Sequence, residues 1–303
     1  MNEKYGHWET NGVKFGDKYK ALRYATQHNT KVEFKYFDHI WANFNRELMG
    51  KVPLTTLYKE RAQQLRDRYQ YLILYYSGGA DSHNVLRAFT DNNIKLDEVV
   101  VRWPEHALYT PNSADTSPSN FWSEWDYAIK PSLEWLAGAH PEIKITIKHM
   151  SSAISDSDMI SAFDRTNYIR TLTMLLNTTM PESSDIMAEA GLTVGHIYGV
   201  DKPLLKLEND NKLWMVFSDH PLTFMTPPAS DPSSVEGFYW APEFPEIIFE
   251  MAYQTSLYFD INKDHRKFLN TKGTNVQFQN EVVKKMCYHT WDNRFQSNVK
   301  AGA

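Results

Sequence analysis

Tyr71-Leu72-Ile73-Leu74-Tyr75-Tyr76-Ser77-Gly78-Gly79-Ala80-Asp81-Ser82 decides the fold. Its first six residues form an unbroken apolar run, the pattern of a strand buried on both faces of a parallel sheet. A loop of small residues follows, and then a stretch of helical spacing through Val85, Leu86 and Phe89. A glycine pair lets the backbone come close to an anion. The unpaired N–H groups of the next helix start point at the same place, where the helix dipole favours negative charge. Ser77 and Ser82 add hydroxyl donors. Asp81 would repel a phosphate directly, so its expected roles are to cap the helix, order the loop or reach a Mg²⁺ ion. The loop lacks the Gly-Lys-Ser/Thr ending of a Walker A sequence and the three spaced glycines of the dinucleotide pattern.

Outward from this segment the apolar runs recur. Glu98 to Trp103, Ile143 to Ile147 and Thr193 to Val200 read as further strands. Helical stretches at about Trp125–Leu136 and Thr166–Asn177 separate them. Strands alternating with helices predict a doubly wound parallel α/β sheet. Leu204–Leu207 and Leu213–Phe217, around Asn209-Asp210-Asn211, predict a hairpin. Residues 1–70 read as a mostly helical extension, with a helix after Asp17, a short strand in Val32–Phe37 and a long amphipathic helix from Pro53. Residues 71–217 form the expected core. Residues 218–303 hold the proline- and serine-rich stretch Thr226–Gly237, expected to be a lid or a plain connector, and then two C-terminal helices.

Composition narrows the classes. The 303 residues are 42% apolar and 23% charged, an ordinary globular balance, and the aromatic share of 14% predicts a ring-rich core or cleft. A net charge of −5 argues against general nucleic-acid binding. The single cysteine, Cys287, excludes an internal disulfide and a cysteine metal cluster and fits a reducing, cytoplasmic setting. No apolar run reaches the roughly 18 residues of a membrane span, and the polar start offers no signal segment. The histidines show no metal-ligand spacing, so no zinc is expected. No Gly-x-Ser-x-Gly elbow supports a serine hydrolase.

Ser77-Gly78-Gly79-Ala80-Asp81-Ser82 resembles the SGGxDS loop of the PP-loop superfamily, the N-type ATP pyrophosphatases and PAPS reductase-like proteins. The likeness covers roughly Tyr71 to Asp201, and beyond it the chain resembles stand-alone, phage-type PP-loop proteins. The resemblance implies an adenine nucleotide alpha hydrolase-like sheet and a loop that grips the β and γ phosphates of ATP. The α phosphate is then open to attack by a substrate oxygen. ATP and Mg²⁺ are the implied ligands, with Ser77, Gly78, Gly79, Asp81 and Ser82 around the phosphates. Gly199-Val200-Asp201-Lys202-Pro203 follows the fourth strand, at the sheet edge where ligands bind. Lys202 would neutralise pyrophosphate, and Asp201 would join Asp81 in holding Mg²⁺; a solvated Asp-Lys turn is the plain alternative. Family members place an arginine before this strand, which singles out Arg165 or, as the assigned catalytic group, Arg170; a surface ion pair is the alternative for either. Arg102 is assigned to the nucleotide, beside Trp103, which would border the adenine or else pack in the core.

The departures matter equally. PAPS reductases use a cysteine in a Glu-Cys-Gly-Leu-His segment, whereas Cys287 stands in Met286-Cys287-Tyr288-His289. Sulfur-inserting tRNA enzymes usually need two cysteines. Glutamine-dependent amidotransferases of the asparagine synthetase type place a catalytic cysteine after the initiator Met, where this chain has Asn2. The expected activity is therefore AMP-forming ATP use, adenylating an oxygen of an unknown small molecule or nucleobase. A PAPS- or adenylyl-sulfate-binding protein without reduction and a non-catalytic nucleotide module are the competing readings. A homo-oligomer is compatible with the sequence.

Overall fold

The structure, a computed structural model, describes residues 6–16, 18–104, 125–150, 181–199, 202–207, 212–216, 235–269 and 274–289. The chain divides into two compact units, the first with the described residues up to 44 and the second with nearly all of those from 45 onward.

The first unit combines a small sheet with two helices. Strands β1 (His7–Thr10), β2 (Val13–Phe15) and β3 (Glu33–Lys35) form an antiparallel sheet in the order β2-β1-β3. Asn11 and Gly12 both take positive φ, 50° and 76°, so they turn β1 into β2 as a two-residue hairpin with the twist the strands require. Helix α1 (Lys18–His28) buries Ala21 and Ala25, and the short α2 (Asp38–Asn43) follows β3.

In the second unit, α3 (Leu54–Arg68) leads into β4 (Tyr71–Tyr75), and the small-residue loop into α4 (Ala80–Thr90). Next come β5 (Glu98–Pro104), a π-helical turn at Trp125–Ile129, α5 (Lys130–Ala139), β6 (Lys144–Met150), α6 (Glu182–Glu189) and β7 (Val194–Tyr198). Strands β8 (Leu204–Leu207) and β9 (Leu213–Val216) pair as the expected antiparallel hairpin. Strand β10 (Val235–Gly237), α7 (Glu246–Ile261), a 3₁₀ stretch at Lys263–Leu269 and α8 (Thr274–Cys287) complete the described elements.

The main sheet has the order β10-β7-β4-β5-β6, and β4 runs parallel to both β5 and β7, as β5 does to β6. Leu72, Ile73, Leu74, Val99, Val101 and Ile197 are fully buried, which is why these strands read as apolar runs. Each such side chain contributes roughly 1.5–3 kcal/mol through burial.

The edge strand β10 is held by charge. Glu236, buried, accepts from the Tyr69 hydroxyl at 2.5 Å and pairs with Arg68 at 3.0 Å and with the fully buried Arg61 at 3.3 Å. Arg61 also donates to the Gly237 carbonyl at 2.9 Å. The expected long loop therefore does not run through to Gly237. Its last three residues are sheet, and Gly237 is fixed rather than a hinge; positions 226–234 lie outside the described residues.

Candidate functional site

Strands β4, β5 and β6 follow one another toward one side of the sheet, and β7 then crosses to the other side of β4. The chain leaves the carboxyl ends of β4 and β7 in opposite directions, the switch point at which open α/β sheets form a crevice. Ser77–Ser82 follows β4, and Gly199 and Lys202 follow β7, so both candidate segments reach that crevice.

The loop is braced by its own hydroxyls. The Ser77 amide donates to Ser82 Oγ at 3.2 Å, and Ser82 Oγ donates to the Gly79 carbonyl at 3.1 Å. Gly78 has φ +73°, and a Cβ there would lie 2.5 Å from Ile129 Cγ1, so conformation and space both demand glycine. Gly79 differs: its φ of −79° suits any residue, and among the described residues an added Cβ would meet only Ser77 Oγ, at 3.4 Å. Gly79 forms the N-cap of α4 and supplies no side-chain acceptor. The first-turn amides of a helix have no partner within it, so this end offers N–H groups to an anion.

Asp81 does not cap the helix. Its Oδ2 is paired with the Lys202 ammonium, and its Oδ1 accepts from the Tyr288 hydroxyl at 2.5 Å. The Asp81 side chain is 28% exposed and that of Lys202 6%. Tyr239 donates its hydroxyl to the Asp81 main-chain carbonyl at 2.9 Å and accepts from Asn84 Nδ2 at 3.1 Å. The Tyr239 and Tyr288 rings stack with centroids 5.9 Å apart, and the Tyr58 hydroxyl donates to the Cys287 carbonyl at 3.1 Å. Burial first, and the Asp81 charge next, push the Tyr239 and Tyr288 hydroxyls well above the usual tyrosine range, so both stay protonated donors.

The sequence singled out neither Tyr288 nor Tyr239. Tyr288 lies 207 positions from Asp81 and reaches it only because α8 ends beside the loop. Gly199 was legible only as the end of a strand. A Cβ on it would sit 3.1 Å from the Asp81 carbonyl and the Ser82 amide, so β7 ends against the start of α4.

Ser77, Gly78, Gly79, Asp81, Ser82 and Lys202 therefore come together. Arg102 is in β5 and pairs in register with Lys148 toward the carboxyl end of the sheet. Arg165, Arg170 and Asp201 lie outside the described residues. Among the described residues no group of three or more His, Cys, Asp or Glu side chains could hold a metal ion. Mg²⁺ does not require one, since it binds through one or two carboxylates plus phosphate oxygens and water. Each Asp81 oxygen keeps a second lone pair beyond its present partner, so Asp81 fits such a role.

Cys287 is buried, its thiol donating to the Met251 carbonyl at 3.5 Å, and burial pushes it up to about 12. A thiol so protonated is no nucleophile. No described helix is long and apolar enough to cross a membrane.

The fold and this edge define an α/β protein with a glycine-containing strand-to-helix loop at the switch point of its parallel sheet. Compared with known proteins, the chain matches no family model and no curated protein sequence.

Proposed function

We propose that the chain is a PP-loop ATP pyrophosphatase with an adenine nucleotide alpha hydrolase-like, doubly wound core. It binds Mg²⁺ and ATP and adenylates an oxygen of an unknown substrate. The observation that carries this reading is the meeting of Ser77–Ser82 with Lys202 at the switch point of the sheet. Loop amides and a single ammonium suit a pyrophosphate better than a neutral ligand.

In this reading the substrate oxygen attacks the α phosphorus, and the bond to the bridging oxygen of the β phosphate breaks. Loop amides and Lys202 stabilise the negative charge that moves onto pyrophosphate. Bound Mg²⁺, held by Asp81 and from sequence also by Asp201, would supply further charge neutralisation. A nucleophile then displaces AMP from the adenylated oxygen. The protonated, buried Cys287 favours this chemistry over a thiol-based reduction of an adenylyl sulfate.

Incubation with Mg²⁺ and ATP labelled at the α and γ positions, with and without cell extract, tests the reading. AMP and pyrophosphate are expected. ADP and phosphate would contradict it, and tight binding without turnover would leave a nucleotide-binding module.

A further inference from the structure

We propose that Tyr288 is a positioning residue for the phosphate loop, holding the Asp81 carboxylate away from the amides that receive the anion. The inference rests on the reading of Ser77–Ser82 as a phosphate site and adds to it a residue from the far end of the chain.

Asp81 lies in the first turn of α4, beside the amides an incoming phosphate would use. A carboxylate there is itself an anion attracted to the helix start, and so a competitor for those donors. Its two oxygens are instead tied off separately. Tyr288 donates to Oδ1 at 2.5 Å, and Lys202 holds Oδ2. Hydrogen bonds to an ionised acceptor are the strong ones, and the loss of one is felt by the partner left behind.

The hydroxyl is placed by packing rather than by chance of rotamer. Tyr288 is buried to 4% exposure, its ring stacks on Tyr239, and Tyr239 fixes the Asp81 carbonyl at 2.9 Å. Two tyrosines from separate segments thus grip the side chain and the main chain of one loop residue. Without the Tyr288 hydroxyl, Lys202 is the remaining side-chain donor to the half-buried carboxylate among the described residues, and the first-turn amides of its own helix are the nearest main-chain ones. The carboxylate would turn toward those amides and compete with phosphate.

The test is calorimetric binding of inorganic pyrophosphate in a chelating buffer, so that no metal enters. Tyr288→Phe keeps the ring and removes the hydroxyl. We expect affinity to fall about tenfold, the scale of one hydrogen bond to a charged group. In an Asp81→Asn background the same change should cost less than about twofold, because no charge remains to be restrained. Tyr58→Phe removes, from the same buried cluster, a hydroxyl that donates to the Cys287 carbonyl and makes no hydrogen bond to the Asp81 carboxylate. It should lower Tm and leave affinity unchanged. Equal losses from Tyr288→Phe in both backgrounds, or no loss in either, would overturn the inference alone. Should Tyr288→Phe fail to fold, Tyr239→Phe reads the same brace through the main chain, and unchanged affinity there overturns it equally. If the unaltered protein binds no pyrophosphate, the inference and the phosphate-loop reading fall together.

Discussion

The two ends of the parallel sheet both carry a prominent acid, and they treat it differently. At the amino end of β5, Glu98 is fully buried and accepts from Tyr71 at 2.9 Å, Thr146 at 2.5 Å and Ser183 at 2.5 Å, with Lys144 at 3.5 Å. Its neighbour Asp97 takes Arg66 at 2.6 Å, Lys95 at 2.7 Å and the Leu72 amide at 2.8 Å. At the carboxyl end, Asp81 is partly exposed, has two side-chain donors, and stands beside helix amides with no intrahelical partner. An acid whose lone pairs are all answered from within the fold holds elements together. In the proposed reading, an acid beside first-turn helix amides stands where a ligand would arrive.

The largest expected effect lies at the closed end. Glu98→Ala leaves the buried Ser183 hydroxyl and the half-buried hydroxyls of Tyr71 and Thr146 without their acceptor and should cost about 3 kcal/mol. Denaturant unfolding would show it as a shifted midpoint; a change within about 0.5 kcal/mol would mean that this cluster is not structural. The pH dependence of stability sharpens the same point. Burial pushes Asp97 up, but the Lys95 ammonium, the Leu72 amide and the Arg66 guanidinium outweigh it and hold Asp97 below its ordinary 3.8. A depressed folded value gives stability that is fully present above the unfolded value and is lost as pH falls through the folded one. Asp97→Asn should therefore flatten the loss of stability below about pH 4. An acid limb identical to that of the unaltered protein would contradict this.

The smallest effect concerns the thiol. Cys287→Ser keeps a hydroxyl donor for the Met251 carbonyl and should change stability by about 1 kcal/mol or less. Any ATP-dependent activity should persist, since no second cysteine shares a redox cycle. Complete loss with the fold intact would revive a reductase or sulfur-transfer reading.

How much of this was legible in the sequence follows from the same physics. Strands β4, β5 and β7 were readable because burial on both faces leaves an apolar run, the edge strand β6 from the alternation of Ile143, Ile145 and Ile147 with polar residues, and the loop from the glycine pair between a strand and a helix. The hairpin of β1 and β2 was missed despite Asn11-Gly12. Its strands are short and mostly half-exposed or exposed, so no clean alternation marks them. Glu98 opens an apolar run yet is wholly buried, because its hydroxyl partners come from three other elements. Tyr288 and Tyr239 were invisible for a similar reason: what they touch is decided by how α8 and the segment after β10 come to rest beside α4. Local pattern records burial and turn chemistry, while the partners of a buried polar group are a property of the assembled fold.

The open character of the carboxyl end is the central claim, and Gly79 tests it most directly. Its backbone accepts a side chain, and among the described residues an added Cβ meets only Ser77 Oγ, at 3.4 Å. Gly79→Val should change the melting curve little, because the backbone φ is an ordinary one and an added Cβ meets no atom of the described residues nearer than 3.4 Å. Calorimetric ATP affinity should fall at least tenfold, since in the proposed reading the anion would come to rest where that side chain stands. An unchanged affinity with an intact fold would contradict the assignment of Ser77–Ser82 as a phosphate site.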